Sequence, residues 1–456
     1  MNLEDTIAAI STPVGHSGIG IVRLSGKDAI SIVDTLFKCP AGKTLHNCPS
    51  HRIMYGHIID PAVNEPVDEV LVSLMKAPKT YTKDDVVEIN CHGGPVPLRR
   101  VLGLVLKAGA RLAEPGEFTK RAFLNGRLDL TQAEAVLDII TSMTEHSQKA
   151  AIEQLGGRLS RKIEALRNEL IELSAFVEAH IDFPEEDIEP PSLKDMGERA
   201  IELQKELQQL IDNSRQGIIL REGLKTAIIG RPNVGKSSLL NALLEQDRAI
   251  VTEMPGTTRD VIEEYLNING FPVRVMDTAG IREARNVAER EGVQRSLRTM
   301  EGADLVLLVL DGSEPLRETD KDLIKKAISK NTILVINKAD LSQKMNIDAL
   351  PSDKPTVLIS ALKGSGLNEL KDMITSIALN SGADSTVLVT NVRHVRAMER
   401  AVESIKSFMD GLNKNVSPEF LSVELREALD ALGEILGPTT PEDVLDKIFR
   451  DFCIGK

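Results

Sequence analysis

The stretch 226–244, TAIIGRPNVGKSSLLNALL, restricts the possible folds more than any other part of the chain. It opens as a short apolar strand, breaks into a glycine-bounded loop and resumes as a helix. Gly230, Gly235, Lys236 and Ser237 fall at the spacing G-x-x-x-x-G-K-[ST], which is a phosphate-binding loop. Such a loop turns successive backbone N–H groups inward around phosphate oxygens, and the helix that starts at Lys236 aims the positive end of its dipole at them. Lys236 is placed to reach the outer phosphates and Ser237 to bind Mg²⁺.

Motifs downstream of the loop complete a nucleotide site. Val261 to Ile268 and Phe271 to Met276 read as two strands joined by Asn269-Gly270, a strong hairpin signal. The second strand delivers Asp277-Thr278-Ala279-Gly280. There an acidic residue can hold the Mg²⁺ shell through water, and Gly280 leaves room for its N–H to meet a terminal phosphate. Thr258, in Gly256-Thr257-Thr258-Arg259-Asp260, is the candidate second hydroxyl ligand of Mg²⁺. A strand from Thr332 to Ile336 ends at Asn337-Lys338-Ala339-Asp340. The Asp340 carboxylate can accept two N–H bonds from guanine, whereas adenine offers no matching donor pair, so the motif selects GTP over ATP. Ser360-Ala361-Leu362 closes the base pocket. In a Ras-type site a glutamine soon after the Asp-x-x-Gly motif orients the attacking water. Ile281 here cannot, which leaves Arg282, Glu283, Glu289 and Glu291 as nearby polar candidates.

Around this α/β module the pattern changes twice. From Asp5 to about Leu124, short apolar segments punctuated by Gly and Pro predict an α+β domain, with a strand from Asp85 to Asn90 ending at Cys91-His92-Gly93-Gly94. From Thr131 helical periodicity takes over, in Ile163, Leu166, Leu170 and Leu173, then Leu203, Leu207 and Leu210. It returns from about Asn391 in Val395, Met398, Val402, Ile405 and Phe408. Each helical flank alone would expose an apolar stripe. The economical fold packs the two together as one discontinuous helical domain, with the α/β Ras-like G domain inserted.

Net charge of −13 argues against gripping nucleic acid by general electrostatics. One local run departs from it: Arg99, Arg100, Lys107, Arg111, Lys120, Arg121 and Arg127 face only Glu114 and Glu117, which reads either as an RNA contact or as a solvated face. Four cysteines are too few for a disulfide framework in 456 residues. No membrane span is visible, and a cytoplasmic protein is expected.

The G motifs between helical halves, the runs Asp5–Ile10, Gly18–Arg23 and Pro115–Gly126, and the final Cys453-Ile454-Gly455-Lys456 together resemble the MnmE (TrmE) family of tRNA-modification GTPases over essentially the whole chain. The resemblance implies four segments. Residues 1–124 bind tetrahydrofolate and dimerise, 125–218 form the first helical part, 219–380 the G domain, and 381–456 the second helical part. It implies nucleotide contacts at Asn233, Val234, Gly235, Lys236, Ser237, Ser238, Thr252, Thr257, Thr258, Asp277, Thr278, Ala279, Gly280, Asn337, Lys338, Asp340, Ser360 and Ala361. It also implies a K⁺ ion among Asn233, Thr252, Met254 and Thr257, standing where other GTPases use an arginine finger. Glu289 matches the family's water-positioning glutamate. Arg23, Glu88, Arg127 and Lys456 match its contacts to 5-formyl-tetrahydrofolate or a related one-carbon folate, and Cys453 a residue proposed for the modification chemistry or the placement of the tail. A homodimer is implied, joined to an FAD-dependent partner in a heterotetramer. That assembly adds a carboxymethylaminomethyl or aminomethyl group at C5 of the wobble uridine of certain tRNAs, with tRNA held mostly by the partner. The rival readings are a ribosome-assembly GTPase switch, disfavoured because no GXXG loop or basic helix run follows Ser381, and a folate-responsive scaffold.

Overall fold

A computed structural model describes residues 4–182, 193–246, 264–276, 299–379 and 387–456. The chain divides into two compact units, Met1–Leu137 with Gly433–Lys456, and Asp138–Leu432.

The first unit is built on a seven-stranded sheet: β1 (Ile7–Ile10), β2 (Ser17–Ser25), β3 (Phe37–Lys38), β4 (Arg52–Asp60), β5 (Glu65–Met75), β6 (Val86–Gly93) and β7 (Arg111–Leu112), in the order β3-β4-β5-β6-β2-β1-β7. Period-two alternation gives the sheet one buried face. Val22, Leu24, Val72, Leu74, Val87 and Ile89 pack there against Ile30 and Val33 of the helix Ala29–Leu36 and against Leu98, Val101 and Val105 of the helix Pro95–Lys107. The opposite face carries Arg23 directly across from Glu88.

The strand expected to stop at Asn90 continues to Gly93. Gly93 is needed for close approach rather than for a turn: a Cβ there would stand 2.1 Å from Ser17 Oγ on β2. Within the basic run between Arg99 and Arg127, three of the cations are engaged by carboxylates, whereas Arg99, Arg100 and Lys107 are exposed. Arg121 is fully buried and donates to Asp5 and Glu117, Arg111 donates to both of the same carboxylates, and Lys120 pairs with Asp446 at 2.5 Å. A cation withdrawn from water is retained only when opposite charge meets it, and here the partners are present. The last helix of this unit, Glu442–Arg450, buries Leu445 and Phe449, which join Phe452, Leu130 and Ala133 in a small core.

The second unit centres on a six-stranded sheet of β8 (Leu224–Ile229), β9 (Glu264–Ile268), β10 (Phe271–Val275), β11 (Leu305–Asp311), β12 (Thr332–Asn337) and β13 (Thr356–Leu358), ordered β13-β12-β11-β8-β10-β9. All pairings are parallel except β9 with β10. Helices cover both faces, so β11 and β12 are buried along their length and apolar except for Asp311, Thr332 and Asn337 at their ends. One face holds Leu239, Leu240, Leu243, Leu370 and Ile374, the other Leu323, Ile324 and Ala327. At the hairpin turn Asn269 and Gly270 have φ of 49° and 87°, the two positive angles a type I′ turn requires.

The helices Arg158–Asp182, Leu193–Asp212 and Val392–Asn413 form the helical domain, with Val392–Asn413 lying along Leu193–Asp212. Ala397, Met398, Ala401, Ile405 and Phe408 supply the buried stripe of the later helix, and Leu203, Leu207 and Leu210 that of the earlier one. The domain is therefore discontinuous in sequence, with the α/β G domain between its parts. The hairpin meets this helical framework: His146, on the helix Glu145–Leu155, packs edge-on against Phe271 with ring centroids 5.4 Å apart. No helix of the described residues is long and apolar enough to cross a membrane.

Candidate functional site

The phosphate-binding loop lies between β8 and the helix Lys236–Gln246. Gly230, Asn233 and Gly235 take positive φ of 150°, 64° and 102°. Glycine is required at both ends of the loop. A Cβ on Gly230 would stand 2.4 Å from Val309 O, and one on Gly235 would stand 2.1 Å from Asn337 Nδ2. Asparagine is one of the few other residues that tolerates the left-handed region, which explains Asn233.

Lys236 Nζ folds back over the loop and donates to the carbonyl oxygens of Gly230 and Arg231 at 2.7 and 2.8 Å. Among the described residues no carboxylate pairs with it, and burial pushes the ammonium down to about 8. A buried cation in that setting suits a polyanionic ligand, which would supply the counter-charge. Ser237 stands in the first turn of the helix, where a Mg²⁺ ligand beside the phosphates belongs, and Val234 is buried while Ser238 is exposed.

The loop expected to read the base, Asn337–Asp340, follows β12. Asn337 is only 3% exposed. Its Nδ2 donates to Val234 O at 2.8 Å, and its Oδ1 accepts from Ala361 N at 3.0 Å. Asn337 thus ties the phosphate loop to the Ser360–Ala361 turn. Lys338 takes a positive φ of 66° and donates to Asp311 Oδ2 at 2.5 Å. Burial would raise the Asp311 carboxyl, but Lys338 and Ser313 hold it below the usual range. Ser360 Oγ donates to Asp340 Oδ1 at 2.6 Å, which lowers the Asp340 carboxyl and fixes its plane as an acceptor. The structure thus gathers Asn233, Val234, Gly235, Lys236, Ser237, Asn337, Lys338, Asp340, Ser360 and Ala361 around one end of the sheet. The expected residues Thr252, Met254, Thr257, Thr258, Asp277, Thr278, Ala279, Gly280 and Glu289 lie outside the described residues.

A second constellation occupies the first unit. Arg23 donates through Nε to Glu88 Oε1 at 2.8 Å and through Nη1 to Gly455 O at 3.1 Å, and its guanidinium lies 5.7 Å from the centroid of the Phe118 ring. The final residues reach it because Ile454 pairs with Pro115 and Ser11 Oγ donates to Gly455 O. Gly455, at φ 95°, passes so near β1 that a Cβ would stand 2.6 Å from Ile10 O. Burial, and then the Arg23 charge, lower the Lys456 ammonium. Arg127 donates to Tyr81 O at 2.8 Å and lies 4.7 Å over the Tyr81 ring. Burial raises the Tyr81 hydroxyl, and the bond with Thr119 and the charges of Arg127 and Arg23 oppose that rise. Arg23, Glu88 and Lys456 are therefore together, Arg127 lies against Tyr81, and Cys453 is exposed three residues before Lys456 in the chain. Sequence reasoning missed Tyr81 and Phe118, whose only signal is aromatic character in a chain with 3% aromatic residues.

The family model described as "MnmE helical domain" matches residues 130–453, and that described as "GTP-binding protein TrmE N-terminus" matches residues 6–127. The tRNA modification GTPase MnmE of Alkaliphilus oremlandii is 49% identical over 461 residues, covering 100% of both chains. That of Bacillus subtilis is 48% identical over 458 residues, covering 99% of this chain and 100% of its own. Among solved structures, the G domain of the T. maritima FeoB iron transporter is 30% identical over 34% of this chain and 97% of its own, with a TM-score of 0.26. Aquifex aeolicus Era bound to GDP and AlF4⁻ is 29% identical over 39% of this chain and 65% of its own, with a TM-score of 0.25. Related along its whole length and not only at the phosphate loop, the chain belongs to the MnmE family of tRNA-modification GTPases.

Proposed function

We propose that this chain hydrolyses GTP and, with a flavin-dependent partner, installs a carboxymethylaminomethyl or aminomethyl group at C5 of the wobble uridine of certain tRNAs. The observation that carries the reading is relatedness at about half identity along the entire length to GTPases named for tRNA modification. The N-terminal and helical parts share in that relatedness, so it goes beyond a nucleotide-binding module.

In this account Lys236 meets the outer phosphate oxygens and gains its counter-charge from them, while Ser237 and Thr258 hold Mg²⁺. Asp340 reads the guanine edge. Glu289 orients the attacking water in place of the glutamine that Ile281 replaces. Asn233, Thr252, Met254 and Thr257 would hold a K⁺ ion, which would supply positive charge at the phosphates as two G domains meet. Positive φ turns the carbonyl and side chain of Asn233 away from a regular turn, which suits a ligand position.

The first unit would take the folate. Glu88 offers paired acceptors to the donor edge of a pterin, and Arg23, Arg127 and Lys456 offer cations to its carboxylates. The net charge of −13 suits a division in which the partner holds most of the tRNA. Nucleoside analysis of tRNA from cells lacking the chain tests this reading. The C5 substituent should vanish, returning with the wild-type chain and not with Lys236→Ala; unchanged wobble uridines would overturn it.

A further inference from the structure

Arg231, the second residue of the phosphate-binding loop, invites reading as a phosphate-binding cation. Its geometry says otherwise. The Arg231 side chain is only 10% exposed and runs away from the loop. Its Nε donates to both carboxylate oxygens of Asp320, at 3.0 and 2.9 Å, and its Nη2 donates to Glu314 Oε2 at 2.9 Å. Asp320 is fully buried in the first turn of the helix Glu318–Ala327, where its Oδ2 also accepts from Arg317 N at 3.1 Å. Glu314 accepts from Arg317 as well, at 2.9 Å.

We propose that Arg231 and Asp320 are positioning residues for nucleotide binding, and that the segment 311–320 braces the site from behind. Two links carry this. Arg231 O is one of the two carbonyls that hold Lys236 Nζ, so anchoring the Arg231 side chain fixes the peptide on which the lysine rests. At its other end the same segment presents Asp311, which holds Lys338 of the base-reading loop and is itself closed by Ser313 N and Oγ at 3.0 and 2.6 Å. One loop therefore ties down both the phosphate-binding and the base-reading strand ends, and sets the distance between them. A nucleotide engages both at once, so error in that distance costs affinity for GDP and GTP alike. The brace touches no reacting atom and should leave the chemical step alone, as expected for uniform binding.

This inference rests on the nucleotide reading, and the two fail differently: a wild-type chain that binds no fluorescent guanine nucleotide would refute that reading before the brace is tested. The experiment is a double-mutant cycle in the full chain with Arg231→Met, Asp320→Asn and both together. The readouts are Kd for mant-GTP and mant-GDP, steady-state KM and kcat, and thermal unfolding. Each single change should raise both Kd values about tenfold or more, and the double change should be no worse than the worse single, because either one alone breaks the same anchor. Asp320→Asn should raise KM with kcat within about twofold. Where a buried change prevents folding, Glu314→Gln, at a half-exposed position, carries the test, with an expected rise of about two- to fivefold. If Arg231→Met weakens binding while Asp320→Asn does not, Arg231 contacts the nucleotide directly and the brace is wrong. Lower melting temperatures with unchanged Kd would reduce the network to a fold-stabilising ion pair and also overturn the proposal.

Discussion

Replacing Asn337 by Ala tests whether this residue is a structural tie as well as part of the base-reading motif. Asn337 joins the phosphate loop to the Ser360–Ala361 turn through two hydrogen bonds, 2.8 Å to Val234 O and 3.0 Å from Ala361 N, both at a side chain 3% exposed. A typical intramolecular hydrogen bond contributes about 1 kcal/mol net, and a buried backbone group left unsatisfied costs about 1–3 kcal/mol. Truncation removes both bonds and strands at least Val234 O, which gives a loss of about 2–4 kcal/mol in the unfolding transition of the second unit. For a unit as large as Asp138–Leu432 that corresponds to a fall of roughly 3–6 °C in Tm. Calorimetry of the nucleotide-free chain isolates the effect, since no base is present to be recognised. Asn337→Asp gives a second check. It keeps an acceptor for Ala361 N but turns an oxygen toward Val234 O, so it should rescue little. A nucleotide-free Tm for Asn337→Ala within a degree of wild type would refute the argument and leave Asn337 only a ligand contact.

Lys236 makes the site sensitive to pH. Burial lowers its ammonium from the ordinary 10.5 to about 8, so between those values the unfolded chain binds more protons than the folded one. Stability of the nucleotide-free second unit therefore rises with pH across that window and is flat for this group below it. Lys236→Met should abolish the rise in a urea-denaturation series, while GTP affinity of the wild type falls as pH passes about 8, where the charge is lost. Gly455→Ala places a Cβ 2.6 Å from Ile10 O at φ 95°, which should undock the final residues, remove a carbonyl partner from Arg23 and weaken binding of 5-formyl-tetrahydrofolate about tenfold or more by calorimetric titration, with GTP binding unchanged. Hydrolysis should run faster in K⁺ than in Na⁺, and Glu289→Ala should slow it by about 10² or more with Kd for GTP retained; equal rates in the two salts would remove the K⁺ assignment.

The nucleotide site was legible because its chemistry is local. Strand, loop and helix from Leu224 to Gln246, the Asn269-Gly270 turn and the Asn337–Asp340 motif each sit within a few residues, and the structure forms each of them where the spacing puts it. The helical stripes were legible for the same reason, as Met398, Ile405 and Phe408 recur at helical spacing. What could not be read depends on distant partners. Nothing near Arg121 announces Asp5, 116 residues earlier, which draws Arg121 and Arg111 out of the basic run into an ion-pair cluster. Nothing near Arg231 announces Asp320, 89 residues later. Strand β6 runs past its expected end because Ser17 lies beside Gly93, a pairing set by the sheet order and not by the local glycines. The docking of Gly455 against Ser11 spans 444 residues, and only the family resemblance hinted at it.

Nucleotide competition measures the central claim most directly. In the proposed reading Asp340, its plane fixed by Ser360, would accept from two guanine N–H groups, and adenine offers no such pair. Two charge-assisted hydrogen bonds are worth about 10²–10⁴ in discrimination. ATP at about a tenfold excess should leave most labelled GTP bound, and Asp340→Asn should lose GTP while gaining xanthosine triphosphate, whose second carbonyl accepts from the new amide. Displacement of GTP by ATP at comparable concentrations would contradict the account.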